Sequence, residues 1–177
     1  MESLKDYNIE IAKLKLGHNE ANFKIDNNFF NLKANSLISE SNINVHLDIF
    51  KKEGLLTFGY IFKGTINTQC DVCLDAFEMP VSGEEKIFYK ITETPKESDD
   101  EFIYIDDKVF EINVYDSIYE IICTSLPMVK TCEKNAVKPK MCNPQMLKYI
   151  ANSDNENDEE VKITTSSIKD NFNKLKN

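Results

Sequence analysis

The chain has 177 residues, of which 41% are hydrophobic and 29% are charged, with a formal net charge of −9. This length supports one domain with its own core plus short tails, and the composition is ordinary for a folded soluble protein. The excess of acidic residues argues, taken over the whole chain, against a nucleic-acid binder.

No targeting segment is visible at the N-terminus. Residues 1–15 mix charged with apolar side chains, whereas a secretory signal needs an uninterrupted apolar stretch. Nothing approaches the roughly 18 apolar residues of a membrane span. We therefore expect a cytoplasmic protein whose thiols stay reduced. Its five cysteines are then metal ligands, core residues or redox groups rather than a disulfide framework.

The charge is unevenly distributed along the chain. Residues 93–116 sum to −7 (nine acidic residues and two lysines), and residues 152–160 sum to −5 (five acidic residues and no lysine). Residues 128–148 instead sum to +4, with five lysines against Glu133. These lysines are Lys130, Lys134, Lys138, Lys140 and Lys148. A local basic segment of this kind is hidden by the overall charge.

Apolar and polar residues alternate through most of the first half, which predicts strands. Residues 7–16 predict a strand, and a second short strand is predicted around residues 23–25. Residues 43–49 and 56–62 alternate on either side of the turn signal at Gly54, which predicts a hairpin. Residues 81–91 predict another, partly exposed strand.

The second half changes its period. After an acidic loop at residues 93–101, residues 102–105 and 109–112 predict a short hairpin or paired edge segments. A helix is predicted from an N-cap at Asn113 to Leu126-Pro127, and another begins at Asn143-Pro144. Together these elements predict an α+β fold, mainly an antiparallel curved sheet or partial β-barrel with a few short helices. We expect one domain over residues 1–151, then an acidic linker and a short C-terminal segment over residues 152–177.

The strongest local motif is Cys70-Asp-Val-Cys73. Two thiolates separated by two residues can bind one metal ion, and Cys132 and Cys142 would complete four ligands. The four could equally be small buried residues of a reduced protein. A redox pair is disfavoured, because no βαβ pattern or helix start follows the motif. Cys123 lies in an apolar helix and is predicted to be a core residue.

The sequence contains little that suggests catalysis. The two histidines, His18 and His46, have no nucleophile near them in sequence and are predicted to lie on the surface. No glycine-rich phosphate loop is present, and the acidic stretch lacks the ligand spacing of a Ca²⁺ loop. We therefore expect a non-enzymatic protein with no small-molecule substrate.

From the cysteine motif onward, the chain resembles the YceD family of large ribosomal RNA subunit accumulation proteins, long catalogued as a domain of unknown function. The resemblance follows the order of Cys70-Asp-Val-Cys73-Leu74, the acidic loop, Ile118-Tyr-Glu120 leading to Leu126-Pro127, Cys132, Cys142 and Asn143-Pro144-Gln-Met-Leu147. Leu16-Gly17-His18 and Phe29-Phe30 resemble the Bacteroidetes branch of this bacterial family. The C-terminus departs from the family, since Asp170-Asn171-Phe172 stands where an Asp-Pro-Arg-Trp type of segment is common.

The resemblance implies a role in 23S rRNA accumulation and large-subunit biogenesis, with no known reaction. The expected partners are ribosomal RNA or large-subunit assembly components, and no membrane. It also favours Zn²⁺ at Cys70, Cys73, Cys132 and Cys142. The alternative is a zinc-stabilised adaptor that binds protein and makes no direct RNA contact.

If RNA is bound directly, the basic segment is the predicted contact surface. The expected contacts are Lys130, Lys134, Lys138, Lys140 and Lys148. A metal held by two cysteines of the same segment would fix these lysines in an array. Because lysine lacks the planar fork of arginine, we expect point-charge contacts to phosphate with little base recognition.

Overall fold

The computed structural model describes residues 3–34, 36, 38, 40–94 and 96–148. The strands are β1 (Asn8–Glu10), β2 (Gly17–Ile25), β3 (Glu40–Lys52), β4 (Leu55–Gln69), β5 (Ala76–Thr92), β6 (Phe102–Asp106) and β7 (Glu111–Asn113). The helices are α1 (Asn27–Asn31) and α2 (Tyr115–Thr124), with 3-10 turns at Leu4–Tyr7 and Ile11–Lys13. Residues 144–148 are also helical. The predicted acidic linker and C-terminal segment lie outside the described residues.

Strands β2 to β6 form one sheet in chain order, and β1 pairs with β7 in a separate two-stranded sheet. The larger sheet is antiparallel from β2 to β5, and β6 runs parallel to β5. The predicted hairpin is confirmed as β3 and β4, which turn at Gly54 with a φ of 71° that favours glycine. The predicted α+β class is confirmed. Among the described strands the sheet is open, with β2 and β6 at its edges.

The core lies on one face of this sheet, because side chains alternate between the two faces along every strand. Buried members include Ile43, Val45, Leu47 and Ile49 of β3 and Leu56, Phe58, Tyr60 and Phe62 of β4. Helix α2 contacts β5, and the Tyr115 hydroxyl donates to the carbonyl of Phe29 in α1 at 3.2 Å. The short helices therefore cover one face, and the opposite face of the sheet remains uncovered by described elements.

The later predicted helix start is confirmed, whereas α2 begins one residue later than predicted, with Val114 rather than Asn113 at its N-cap. The side chain of Asn113 accepts a hydrogen bond from the backbone N–H of Tyr115 at 3.0 Å, and α2 ends at Thr124, before Pro127. The Asn143 side chain accepts from the N–H of Gln145 at 3.0 Å at the start of the later helical turn. None of the helices in the described part of the chain is long and apolar enough to cross a membrane.

Two strand predictions were wrong. Residues 102–105 and 109–112 do not pair with each other: β6 pairs in parallel with β5, and β7 pairs with β1. After β5 the chain returns to a point beside Phe88. Strand β6 begins there and therefore runs parallel to β5. The predicted strand at residues 7–16 is reduced to β1, because 3-10 turns at Leu4–Tyr7 and Ile11–Lys13 enclose it. The Lys51 ammonium binds the carbonyls of Ile11 and Leu14 at 2.8 and 3.1 Å.

The pairing of β3 with β4 depends on a close backbone approach at Gly64, which lies opposite Ile43. A Cβ atom there would lie 2.5 Å from the Ile43 Cα and closer still to the Asn42 carbonyl oxygen. We expect Gly64→Ala to lower the free energy of unfolding by about 1–3 kcal/mol, since the backbone must move. Gly59→Ala is the matched control on the same strand, because the nearest atom to its Cβ would be 3.6 Å away. Equal urea midpoints for the two variants would contradict this account.

Candidate metal centre

The first half of the site is the tight turn that joins β4 to β5. Cys70 and Asp75 close it, with the Cys70 N–H donating to the Asp75 carbonyl at 2.9 Å. Inside it, the Leu74 N–H donates to the Cys70 carbonyl, also at 2.9 Å. Leu74 has a φ of 61°, a left-handed conformation that costs a leucine about 1–2 kcal/mol. The turn is therefore held in a strained form that directs both of its sulfurs inward.

The second half is the segment after α2, residues 131–142. It begins with a compact turn in which Thr131 and Asn135 exchange hydrogen bonds of 2.8 and 2.9 Å. The Lys140 N–H then donates to the Cys132 carbonyl at 3.1 Å, which brings Cys142 back beside Cys132. This segment is attached to the sheet by the Val137 N–H, which donates to the carbonyl of Glu78 on β5 at 2.9 Å.

Backbone and side-chain bonds hold the two halves together. The Asp71 N–H donates to the Lys130 carbonyl at 2.8 Å, and the Lys130 N–H donates back to the Asp71 carboxylate at 2.6 Å. The Lys140 ammonium lies 3.2 Å from the Asp75 carboxylate. Each half therefore contributes both backbone groups and charges to the junction, so the position of the basic segment depends on the cysteine turn.

Four sulfurs converge at this junction. Cys70, Cys73, Cys132 and Cys142 are all buried, and their Sγ atoms lie within 4.8 Å of one another. Individual separations are 3.8 Å for the 70–142 pair, 3.8 Å for the 73–132 pair and 3.4 Å for the 132–142 pair. A disulfide bond is about 2.05 Å long, so these are free thiols.

The sulfur positions fit one tetrahedral metal ion. Four thiolates at about 2.3 Å from a shared ion would lie about 3.8 Å from one another. The observed separations are close to this value, and the site is closed to solvent on all four ligands. A closed set of four ligands is typical of structural rather than catalytic metal sites.

The surrounding backbone supports a negative charge at Cys70. Burial alone would raise the pKa of this thiol, but backbone N–H groups of Cys73, Cys132 and Val72 donate to its sulfur and lower the pKa to about 6. The pKa of Cys132 is raised, chiefly by burial, and that of Cys142 is raised by its hydrogen bond with Cys132 and then by burial. Without an ion, the four thiols cannot all ionise together; a bound metal would take them as thiolates.

The remaining candidates lie apart from this cluster. Cys123 packs against the core from α2, in agreement with its predicted role. His18 and His46 lie on the uncovered face of the sheet, where they contact Asp48 at 3.4 Å and Asn22 at 2.9 Å. His18 belongs to β2.

The predicted lysines surround the centre but are not equivalent. Lys130 and Lys140 are paired with Asp71 and Asp75, with N···O distances of 3.8 and 3.2 Å. Lys134, Lys138 and Lys148 are exposed, and no ion pair involves them within the described residues. Sequence reasoning missed the two aspartates, although both lie within or next to the cysteine motif.

Exposed apolar side chains also surround the centre. Met128 is 99% exposed, Met141 84%, Val129 63% and Leu74 59%. Leu74 and Met141 are adjacent in sequence to ligands, Val129 is adjacent to Lys130, and Met128 precedes Val129. The surface over the cysteines is therefore both basic and apolar.

Comparisons with known proteins agree with the cysteine motif. No curated protein and no solved structure matches the chain. A family model described as "Large ribosomal RNA subunit accumulation protein YceD" matches residues 59–177, which include most of β4, all four clustered cysteines and the basic segment. The match extends over more than half of the sequence, and on that basis the chain belongs to the YceD family.

Proposed function

We propose that this protein is a non-enzymatic factor that supports 23S rRNA accumulation and large-subunit biogenesis by binding rRNA or a large-subunit assembly component. The family description names ribosomal RNA accumulation and no reaction. The observation that carries the binding role is the cluster of four buried sulfurs, which lies directly beneath the most basic segment of an acidic chain. A metal ion bound by these sulfurs would hold the basic segment in one position and so give a binding surface of fixed geometry.

Zinc is the ion that best suits this site. Four cysteines in a closed, tetrahedral arrangement are a common structural zinc set, and Cys-x-x-Cys supplies half of it. Zinc has no redox chemistry of its own, so in this proposal it acts as a structural ion. It would hold residues 128–148 against the end of the sheet and thereby position their lysines.

We further propose the division of the chain that the sequence suggests. Residues 1–151 would form the folded domain, with residues 152–177 appended as an acidic linker and a short terminal segment. All ligands and the basic surface then belong to the folded part.

A protein-binding adaptor is the second candidate. It is favoured by the exposed apolar side chains around the centre, because apolar groups add little to phosphate binding but much to protein interfaces. In that case the lysines would select an acidic protein partner and control the rate of association.

The cellular test uses a strain that lacks the protein, complemented with the natural chain or with Cys70→Ser. We expect 23S rRNA to fall relative to 16S rRNA without the protein, to recover with the natural chain and to recover poorly with the variant. Crosslinking to RNA before purification then separates the candidates. Specific 23S fragments indicate direct contact, whereas a ribosomal protein that stays bound after ribonuclease treatment indicates the adaptor. An unchanged 23S level in the strain that lacks the protein would contradict both.

A further inference from the structure

A row of aromatic side chains crosses the uncovered face of the sheet, far from the cysteines. Strand register places one residue from each strand in line: His18, Phe50, Thr57, Phe88 and Phe102. The next row holds Lys52, Leu55, Lys90 and Tyr104. Neighbouring strands are about 4.8 Å apart, so the first row is about 19 Å long. We call these two rows the aromatic platform.

The platform does not belong to the core. The residues that alternate with it, such as Leu56 and Tyr89, are buried on the opposite face. Phe50, Phe88 and Phe102 are each partly exposed, and none packs against the core cluster. Their rings contact one another instead: the centroids of Phe88 and Phe102 are 6.1 Å apart, and His18 and Phe50 are 4.6 Å apart.

Lysine ammonium groups surround these rings. Lys52 lies 5.4 Å from the centroid of Phe50, Lys90 lies 5.7 Å from that of Phe102, and Lys96 lies 4.2 Å from that of Tyr104. Acidic groups lie beside the platform as well: Asp99 accepts a hydrogen bond from the Tyr104 hydroxyl at 3.0 Å and lies 3.9 Å from Lys96. Asp106 shares the face of β6 with Tyr104, and Asp48 lies 3.4 Å from His18. The rings are thus accompanied by three positive charges on flexible stems.

This combination suits single-stranded RNA. Unpaired bases stack on aromatic rings of an open sheet, while nearby cations bind the phosphates between them. A protein partner could pack against these rings, but a lysine ammonium beside each of Phe50, Phe102 and Tyr104 would add little to such a contact. Cys70 follows the end of β4 and lies thirteen positions after Thr57, about 43 Å along an extended strand, so the platform is distinct from the basic segment.

We propose that the aromatic platform is a second RNA contact, which stacks bases of single-stranded rRNA on Phe50, Phe88 and Phe102. This inference rests on the proposed role in rRNA accumulation and adds the class of RNA that is bound. Lys52, Lys90 and Lys96 bind the phosphates that connect the stacked bases. Because a duplex hides its base faces, the platform binds unpaired segments and not helices.

The probe is a fluorescent ten-nucleotide single-stranded RNA of mixed sequence, measured by anisotropy with the full chain. We expect binding that is weakened when the complementary strand converts the probe to a duplex, because the duplex keeps only the phosphate contacts of the basic segment. Lys52 and Lys90, which form no ion pair among the described residues, predict a slope of about −1.4 in a plot of log affinity against log salt. Lys96 adds less, because it is paired with Asp99. Asp99→Asn should strengthen binding, since it removes a negative charge beside the platform and keeps the oxygen that accepts the Phe102 N–H.

Substitution of the rings tests the stacking. Phe88→Leu and Phe102→Leu should each weaken binding about fivefold or more, because each stacked base contributes at least that factor. Leucine keeps an apolar side chain in the sheet, and thermal denaturation checks that each variant is folded. Ile61→Ala is the matched control: Ile61 is 52% exposed on the same face but lies outside the platform, so binding should not change.

Three results would overturn the inference. They are no binding of the single-stranded probe, equal binding of the duplex, and unchanged affinity in a folded Phe88→Leu/Phe102→Leu variant. None of these would overturn the proposed cellular role, which is measured by 23S rRNA levels in the complemented strain. If the ring substitutions instead release a bound ribosomal protein and leave RNA affinity unchanged, the platform is a protein-docking face and the inference is wrong.

Discussion

Cys70→Ser is expected to abolish binding of one Zn²⁺ per chain and to release residues 128–148 from the end of the sheet. The reason is the position of the four ligands: two belong to the turn between β4 and β5, and two belong to the segment after α2. Three cysteines cannot close the tetrahedron without water or another ligand. Structural zinc in small peptides contributes on the order of 10–16 kcal/mol of binding free energy coupled to folding.

Most of that free energy should act locally in this protein. The core on the covered face of the sheet includes Phe58 and Tyr60 of β4 and does not need the metal to exclude water. The basic segment, in contrast, is attached by the Asp71–Lys130 and Asp75–Lys140 contacts and by one backbone bond to Glu78. Only Ala136 and Met146, besides the cysteines themselves, add apolar packing of this segment against the core. Exposed ion pairs contribute roughly 0–1 kcal/mol each, too little to hold a 21-residue segment alone.

Elemental analysis and hydrogen exchange measure the two parts of this prediction. Protein purified without chelator should contain about one zinc per natural chain and almost none in Cys70→Ser. Amides of residues 130–142 should exchange much faster in the variant, while those of β3 and β4 remain protected. Cys123→Ser is the matched control, because this thiol packs against the core outside the cluster. Natural protein with no bound zinc, or a variant whose basic segment stays protected, would contradict the prediction.

The sequence predicts the metal centre better than it predicts the sheet. Spacing predicts the Cys70–Cys73 pair, because a thiol pair two residues apart has few geometries, and it offers Cys132 and Cys142 only as residues that could complete four ligands. The four sulfurs come together only because the chain after α2 returns to the turn between β4 and β5, and no local sequence pattern specifies that return. The aspartates Asp71 and Asp75, which hold the two halves together, carry no signal of their own in a chain with many acidic residues.

The alternation of apolar and polar residues along the strands explains which strand pairings the sequence predicts correctly and which it does not. It identifies which side chains share a face, so β3 and β4 were predictable from their pattern and the short turn at Gly54. It does not identify the neighbouring strand when a long loop intervenes. For that reason the pattern predicts a short hairpin or paired edge segments from residues 102–105 and 109–112, although β6 pairs with β5. The aromatic platform cannot be predicted from the sequence for the same reason, because a row of residues across five strands depends on the register of every pair of neighbouring strands.

The lysines of residues 128–148 should contribute unequally to RNA binding. Lys134, Lys138 and Lys148 are exposed without an acidic partner among the described residues, whereas Lys130 and Lys140 are paired with Asp71 and Asp75. A paired ammonium must give up its carboxylate before it binds a phosphate, so its net contribution is smaller. The structure therefore divides the predicted contact surface into three free cations and two that hold the segment in place.

Two multiple variants test this division against a folded, structured 23S rRNA transcript. Replacing Lys134, Lys138 and Lys148 by Ser should flatten the salt slope by about 2 to 3 and weaken binding by up to about 100-fold near 0.1 M salt. Replacing Lys130 and Lys140 by Ser should flatten the slope by less than 1, because these cations are already neutralised. The measurement is affinity across a salt series, with zinc content and melting temperature as controls for the fold.

The comparison also separates the two candidate functions. Direct phosphate contacts require the triple variant to lose both affinity and salt dependence while its zinc content stays at one per chain. If affinity and slope are unchanged in the triple variant, the basic segment is not the RNA contact surface. The exposed apolar side chains of Met128 and Met141 would then be the better guide to this face. In that case its partner is a protein, and Met128→Ser together with Met141→Ser should release it where the lysine substitutions do not.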